Sequence, residues 1–146
     1  MLLGKYVIPI STDGRLVLPS DYRQDLSRDV IYYTQGLDNN VLLLTKSAFE
    51  KMCSHVKSTS MTDPLARLLN RVILGNAVEM EPDPDGNLQV PATLCEFAGI
   101  SENVVLVGQG EYLELWSTST WKKQIEMMQD HSQNINRFEK FNVSLA

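Results

Sequence analysis

Histidine and cysteine are scarce in this chain, two of each, and the few present stand apart. Cys53 and Cys95 form no CxxC pair and fall at unmatched places, so neither a disulfide framework nor a zinc knuckle is supported. Both are expected to be packed thiols. His55 and His131 lie near no serine–acid or cysteine constellation, and Cys53 and His55 would project from different faces of a helix. Gly108-Gln109-Gly110 lacks the third glycine of a dinucleotide loop, Leu113 standing in its place, and it joins two strands rather than a strand to a helix. No enzyme, cofactor or metal is therefore expected. No apolar run approaches the ~20 residues needed to cross a bilayer, and the start, Met1 to Lys5, has no basic stretch ahead of an apolar one. A cytoplasmic protein without a membrane or small-molecule partner is the expectation.

Basic residues are also missing, but only from the second half. Residues 77–128 hold Lys122 and Lys123 against nine carboxylates, whereas residues 5–56 balance six bases with six acids. The stretch between them, 57–76, is slightly basic and the residues from 129 onward are neutral, which together make the net charge of −5. A polyanion would have to meet the first half or the connector, because like charge on the second half would repel it.

What is present is a repeat. A shift of 72 positions brings Gly14 onto Gly86, Pro19 onto Pro91, Gly36 onto Gly108 and Phe49 onto Trp121. Leu16, Leu18, Val41 and Leu43 land on Leu88, Val90, Leu113 and Leu115. Two modules, 5–56 and 77–128, follow, with a connector over 57–76 and a tail over 129–146. Each module holds about fifty residues, marginal for an independent core, so the two are expected to fold against each other.

Within module one, residues 6–10 and 16–18 are β-compatible runs around Ser11-Thr12-Asp13-Gly14-Arg15. Asp-Gly between such runs predicts a hairpin with a type I′ turn, both central residues at positive φ. Asp85-Gly86 repeats the device. Pro19 ends the strand and opens a short helix over 22–26, with a counterpart over 91–97. Residues 30–34 and 41–44 read as a second hairpin, mirrored by 104–107 and 112–116. Longer helices follow: Phe49, Met52, Cys53 and Val56 share one face, as do Trp121, Ile125 and Met128. The connector carries a third stripe, Leu65, Leu68, Leu69, Val72 and Ile73, after Asp63-Pro64. All three stripes are expected to pack into the core. Residues after about 130 are polar and aperiodic, and a frayed, mobile tail is expected. The fold class is α+β.

These residues carry a resemblance. Gly14-Arg15-Leu16 through Pro19 and Tyr22-Arg23, then Leu42-Leu43-Leu44, match one family's pattern. So do Arg67-Leu68-Leu69-Asn70-Arg71 through Leu74-Gly75-Asn76-Ala77, Asp83-Pro84-Asp85-Gly86 through Pro91, and the residues from Val104 to Gly108 leading to Glu114-Leu115-Trp116 and Trp121. The chain resembles the MraZ family, built from two swapped-hairpin AbrB-like modules. The resemblance implies a transcriptional regulator, cytoplasmic and associated with the nucleoid. Such a regulator binds double-stranded DNA at short direct repeats upstream of its own operon, the division and cell wall cluster, as a ring homo-oligomer.

The same resemblance places the DNA contact at the module turns, where the family pattern has an acidic residue and, four positions later, an arginine. Arg15 is the implied principal contact, with Thr12, Asp13, Gly14, Lys5 and Asn87 completing the candidate set. The pattern is incomplete twice. Ser11 replaces the acid and Asp13 the usual lysine in turn one; Asp83 is kept in turn two, but Asn87 replaces the arginine. Arg15 is then expected to be less restrained, and binding weaker or differently specified. The alternative is a ring-forming assembly protein of the same fold with weakened or lost DNA binding.

Overall fold

Short β-branched and aromatic runs punctuated by glycine and proline become eight strands, and the amphipathic stretches become helices, in the computed structural model, which describes residues 1–143. Module one comprises β1 (Lys5–Pro9), β2 (Arg15–Val17), α1 (Ser20–Leu26), β3 (Ile31–Gln35), β4 (Val41–Thr45) and α2 (Lys46–Lys57). The connector helix α3 (Pro64–Ile73) leads to β5 (Val78–Met80), β6 (Asn87–Gln89), α4 (Ala92–Ala98), β7 (Asn103–Gly108), β8 (Tyr112–Trp116) and α5 (Thr118–Met128). The fold is α+β, as the alternation of periods predicts.

The second hairpin of each module forms as expected, β3 on β4 and β7 on β8, both antiparallel. The first does not. β1 leaves its neighbour to pair with β7, β5 pairs with β3, and β2 and β6 pair with each other as a separate two-stranded ribbon. The expected type I′ turn is corrected as well: Gly14 alone has positive φ, +83°, and its N–H donates to Ser11 O at 3.0 Å. A single left-handed residue reverses the chain without holding the flanking strands together, which frees each strand for the other module. The exchange gives two modules too small for separate cores one shared interior.

A pseudo-two-fold axis relates the modules. In the central pair of the six-stranded sheet, Leu42 faces Glu114, its own equivalent 72 positions on, and in the ribbon Leu16 faces Leu88 in the same way. The core lies between the ribbon and one face of the large sheet: Leu16, Leu88, Leu43, Leu115, Leu106 and Val90 are all buried. Tyr33 is buried with them, and its hydroxyl makes no hydrogen bond to the described residues. Burial pushes its pKa well above the ordinary tyrosine value. An unpartnered buried hydroxyl costs about 1–3 kcal/mol, so Tyr33→Phe is expected to stabilise the chain by about 1 kcal/mol in equilibrium urea unfolding. A loss of stability would show that the hydroxyl is partnered.

On the opposite sheet face, α2 stacks Phe49 on Tyr32, ring centroids 4.1 Å apart, and α5 seats Trp121 against Trp116 at 5.5 Å. Two stripes are less buried than their spacing suggests. Met128 of α5 is half exposed, and on α3 only Ala66 and Ile73 are buried, while Leu65 and Leu68 face outward. Among the described residues, nothing covers that flank of α3. Cys53 and Cys95 are half-buried free thiols, and burial pushes the Cys95 thiol up.

The tail differs from the sequence expectation in its secondary structure. Residues His131–Phe138 form a helix, α6, capped by Asp130, whose carboxylate accepts from Gln133 N–H at 3.4 Å, and Glu139–Phe141 add a 3₁₀ turn. An acid at the N-cap with glutamine three residues on is a helix-start signal that the polar composition masks. No residue of α6 is buried. The remainder of the expected tail, residues 144–146, lies outside the described residues.

Candidate nucleic-acid interface

The ribbon sets the geometry of the site. Arg15 pairs with Gln89, Leu16 with Leu88 and Val17 with Asn87. Side chains alternate across a strand, so Leu16 and Leu88 go into the core and the four others share the outer face, where all are exposed. The flanking turns are locked into the opposite module: Val90 N–H donates to Gly14 O and Leu18 N–H to Gly86 O, both at 2.8 Å. Each turn's position is thereby fixed by the other half of the chain. Beside the ribbon lies a groove of about 900 Å³, lined also by Ile8 and Pro9 from β1 and by Met80, Glu81 and Asp83 from the other sheet edge.

Turn one carries a compact polar network. Ser11 Oγ accepts from Arg15 N–H at 2.9 Å and donates to one Asp13 oxygen, while the other Asp13 oxygen accepts from Arg15 Nε at 3.0 Å. The carboxylate expected four residues before the arginine is thus supplied from two residues before it. Arg15 is less free than the missing acid suggested, and sequence reasoning missed this because it treated Ser11 and Asp13 as separate losses. With Nε engaged, the two terminal nitrogens of Arg15 remain as an outward fork. Gln89 Nε2 reaches Asp13 O at 3.2 Å and ties β6 to the same turn.

The Ser11 hydroxyl, then the backbone of Asp13 itself, then Arg15, hold the Asp13 carboxyl below its ordinary pKa. A lowered folded-state value means the network is complete above the ordinary aspartate range and comes apart as pH falls through the lowered value. A carboxyl-detected NMR titration of Asp13 should give a midpoint below that of an unstructured aspartate. Ser11→Ala and Arg15→Ala should each move it upward; a midpoint unmoved in both variants would place the cause outside this network.

Turn two is built alike but carries no such cation of its own. Gly86, φ +79°, donates to Asp83 O at 3.0 Å, and Asp83 Oδ1 accepts from Asp85 N–H at 2.8 Å. Asn87 lies on the ribbon's outer face, two register positions from Arg15's row, and no side-chain hydrogen bond among the described residues engages it. Arg23 from α1 packs over Gly86 and donates Nε to Leu18 O at 3.0 Å, the structural role of bracing the chain after β2.

The candidate residues therefore divide. Thr12, Asp13, Gly14 and Arg15 form one turn and Asn87 joins them across the ribbon. Lys5 does not: it sits at the far end of the edge strand β1, its Nζ 5.9 Å from the Trp121 ring centroid. An edge lysine over an aromatic ring both guards the strand edge and gains a cation–π contact. Among the described residues, no three His, Cys, Asp or Glu side chains are grouped as a metal site requires, and no helix is long and apolar enough to cross a membrane.

Comparison with known proteins matches this architecture. The sequence profile of the family described as "MraZ protein, putative antitoxin-like" matches residues 1–72 and again residues 73–141. A Bifidobacterium longum protein named "Transcriptional regulator MraZ" is 33% identical over 125 residues, covering 86% of this chain and 83% of that protein. A protein of the same name from a Thermoanaerobacter species is 32% identical over 123 residues, 84% of this chain and 85% of its own. Another, from Caldanaerobacter subterraneus subsp. tengcongensis, is 29% identical over 143 residues, 93% of this chain and 99% of its own.

Proposed function

The chain belongs to the MraZ family, and on that premise we propose that it is a sequence-selective DNA-binding transcriptional regulator whose ribbon and first turn face double-stranded DNA. The observation that carries this reading is Arg15, bonded through Nε to Asp13 with its side chain largely exposed on the outer face of the two-stranded ribbon. A two-stranded ribbon fits the major groove, and an arginine fork bonds guanine or phosphate in bidentate fashion. Family membership supports a regulator rather than an enzyme.

One subunit with a single turn arginine, in a chain of net charge −5, would bind weakly. Ring assembly answers this. Several copies of Arg15 on one face would engage neighbouring short direct repeats at high effective concentration. Self-association is supported by the apolar side chains that α3 and the C-terminal segment leave exposed, among them Met61, Leu65, Leu68, Ile135, Phe138 and Phe141. The DNA upstream of the chain's own gene, in the division and cell wall cluster, is the proposed target. The acids beside the groove, Glu81 and Asp83, favour a second reading: an assembly protein of the same fold that no longer binds DNA.

Fluorescence anisotropy separates the two. The full-length protein, with its oligomeric state checked by light scattering, is titrated against its own upstream duplex and a scrambled duplex at low and high salt. Selective binding that weakens steeply with salt is expected for the regulator. An assembled oligomer that shifts neither duplex would establish the assembly protein instead.

A further inference from the structure

The ribbon's outer face is chemically lopsided about its own pseudo-two-fold axis. Symmetry would place like residues at 15 and 87 and at 17 and 89, yet the four are Arg15, Asn87, Val17 and Gln89. Gln89 is occupied, its amide nitrogen donating to the Asp13 carbonyl, so the Arg15 row presents the guanidinium fork. In the other row, Asn87 stands directly opposite Val17, half exposed at 52%. A free carboxamide beside an exposed β-branched methyl pair complements one base pair in particular. Adenine offers an acceptor and a donor that asparagine meets with two hydrogen bonds, and thymine offers a methyl group for apolar contact. Arginine in the first row complements guanine, whose two major-groove acceptors match its fork.

We propose that Asn87, with Val17, reads an A·T pair about two base-pair steps from the guanine read by Arg15. The inference rests on the DNA-binding reading above and specifies what that surface binds. An arginine at position 87, as the family pattern has it, would favour a second guanine; Asn87 changes the base preferred there while the ribbon register is kept. The rows lie two residues apart along each strand. At about 3.3 Å per residue, the separation matches roughly two base-pair steps of about 3.4 Å when the strands follow the groove.

The test is selection from a randomised duplex pool by the full-length protein, as wild type and as Asn87→Ala, Asn87→Arg and Arg15→Ala, each checked for melting temperature and oligomeric state. The wild type should select an element containing a guanine and an A·T pair about two steps away. Asn87→Ala should lose preference at the A·T position by about tenfold to a hundredfold while keeping the guanine. Asn87→Arg should replace the A·T preference with a second guanine. An Asn87→Ala variant that selects the wild-type element unchanged, or a wild type that selects the guanine with no A·T preference near it, would overturn the inference and leave DNA binding intact. A wild type that selects no element would overturn both.

Discussion

Arg15→Ala is expected to abolish selective DNA binding while leaving the fold untouched. The side chain is largely exposed and its bond to Asp13 joins two exposed groups, so removal should change unfolding free energy by less than about 0.5 kcal/mol. Its effect on binding is much larger. One arginine–guanine fork contributes about 1–3 kcal/mol of discrimination, and if two subunits of the proposed ring engage the DNA it is lost twice. The combined loss of about 2–6 kcal/mol corresponds to roughly thirtyfold to twenty thousandfold in affinity. Arg15→Lys separates charge from shape, because lysine keeps a phosphate contact but cannot form the fork. It should retain salt-sensitive, unselective binding. Paired anisotropy and thermal-melting measurements check both variants, and a lysine variant that preserves selectivity would reduce Arg15 to a phosphate contact.

The second large effect concerns the turn itself. Gly14→Ala is expected to destabilise the chain by about 2–5 kcal/mol, combining left-handed backbone strain with a steric clash. A Cβ at Gly14, φ +83°, would lie 2.4 Å from the Val90 carbonyl oxygen, and Gly14 O is also the acceptor for Val90 N–H. The clash is with backbone from the other module, so no side-chain rotation relieves it; the bridge between modules must open. Gly99→Ala is the control. Gly99 also has positive φ, +67°, but a Cβ there meets nothing within 4 Å, so only the strain of about 1–2 kcal/mol applies. Urea unfolding of the two variants should differ by at least 1 kcal/mol, about the size of the clash. Equal losses would mean that the interlock at Gly14 yields at little cost.

Much of this was legible in the residues. Glycine and proline at the same places in both modules mark turns that need positive φ and strands that must stop, and these are local requirements that any one sequence displays. The partners of β1 and β2 were not. A hairpin signal at Asp13-Gly14 reports where the chain reverses, whereas the strand that completes the pairing lies more than seventy residues away, and only burial of a shared core selects it. The exposed flank of α3 was misread for a related reason: Leu65 and Leu68 have helical spacing, and spacing alone does not say whether the facing surface belongs to this chain.

Site chemistry divided in the same way. Arg15 was evident as the one turn arginine, but its restraint by Asp13 depends on how Ser11, Gly14 and Arg15 fold back on one another over five residues. A substitution that looks like loss in a motif is a relocated carboxylate in three dimensions. Lys5, an edge-strand lysine in the candidate set, sits at the opposite end of β1, where its ammonium group lies over the Trp121 ring.

The central claim is that the ribbon and its turns form the DNA-facing surface, and amide hydrogen exchange by mass spectrometry, on the assembled protein with and without its upstream duplex, tests it most directly. Protection on adding DNA should concentrate in peptides covering residues 11–18 and 83–90, with α6 unchanged. Protection confined to α5 and α6, or to no peptide at all while the duplex is bound, would contradict it.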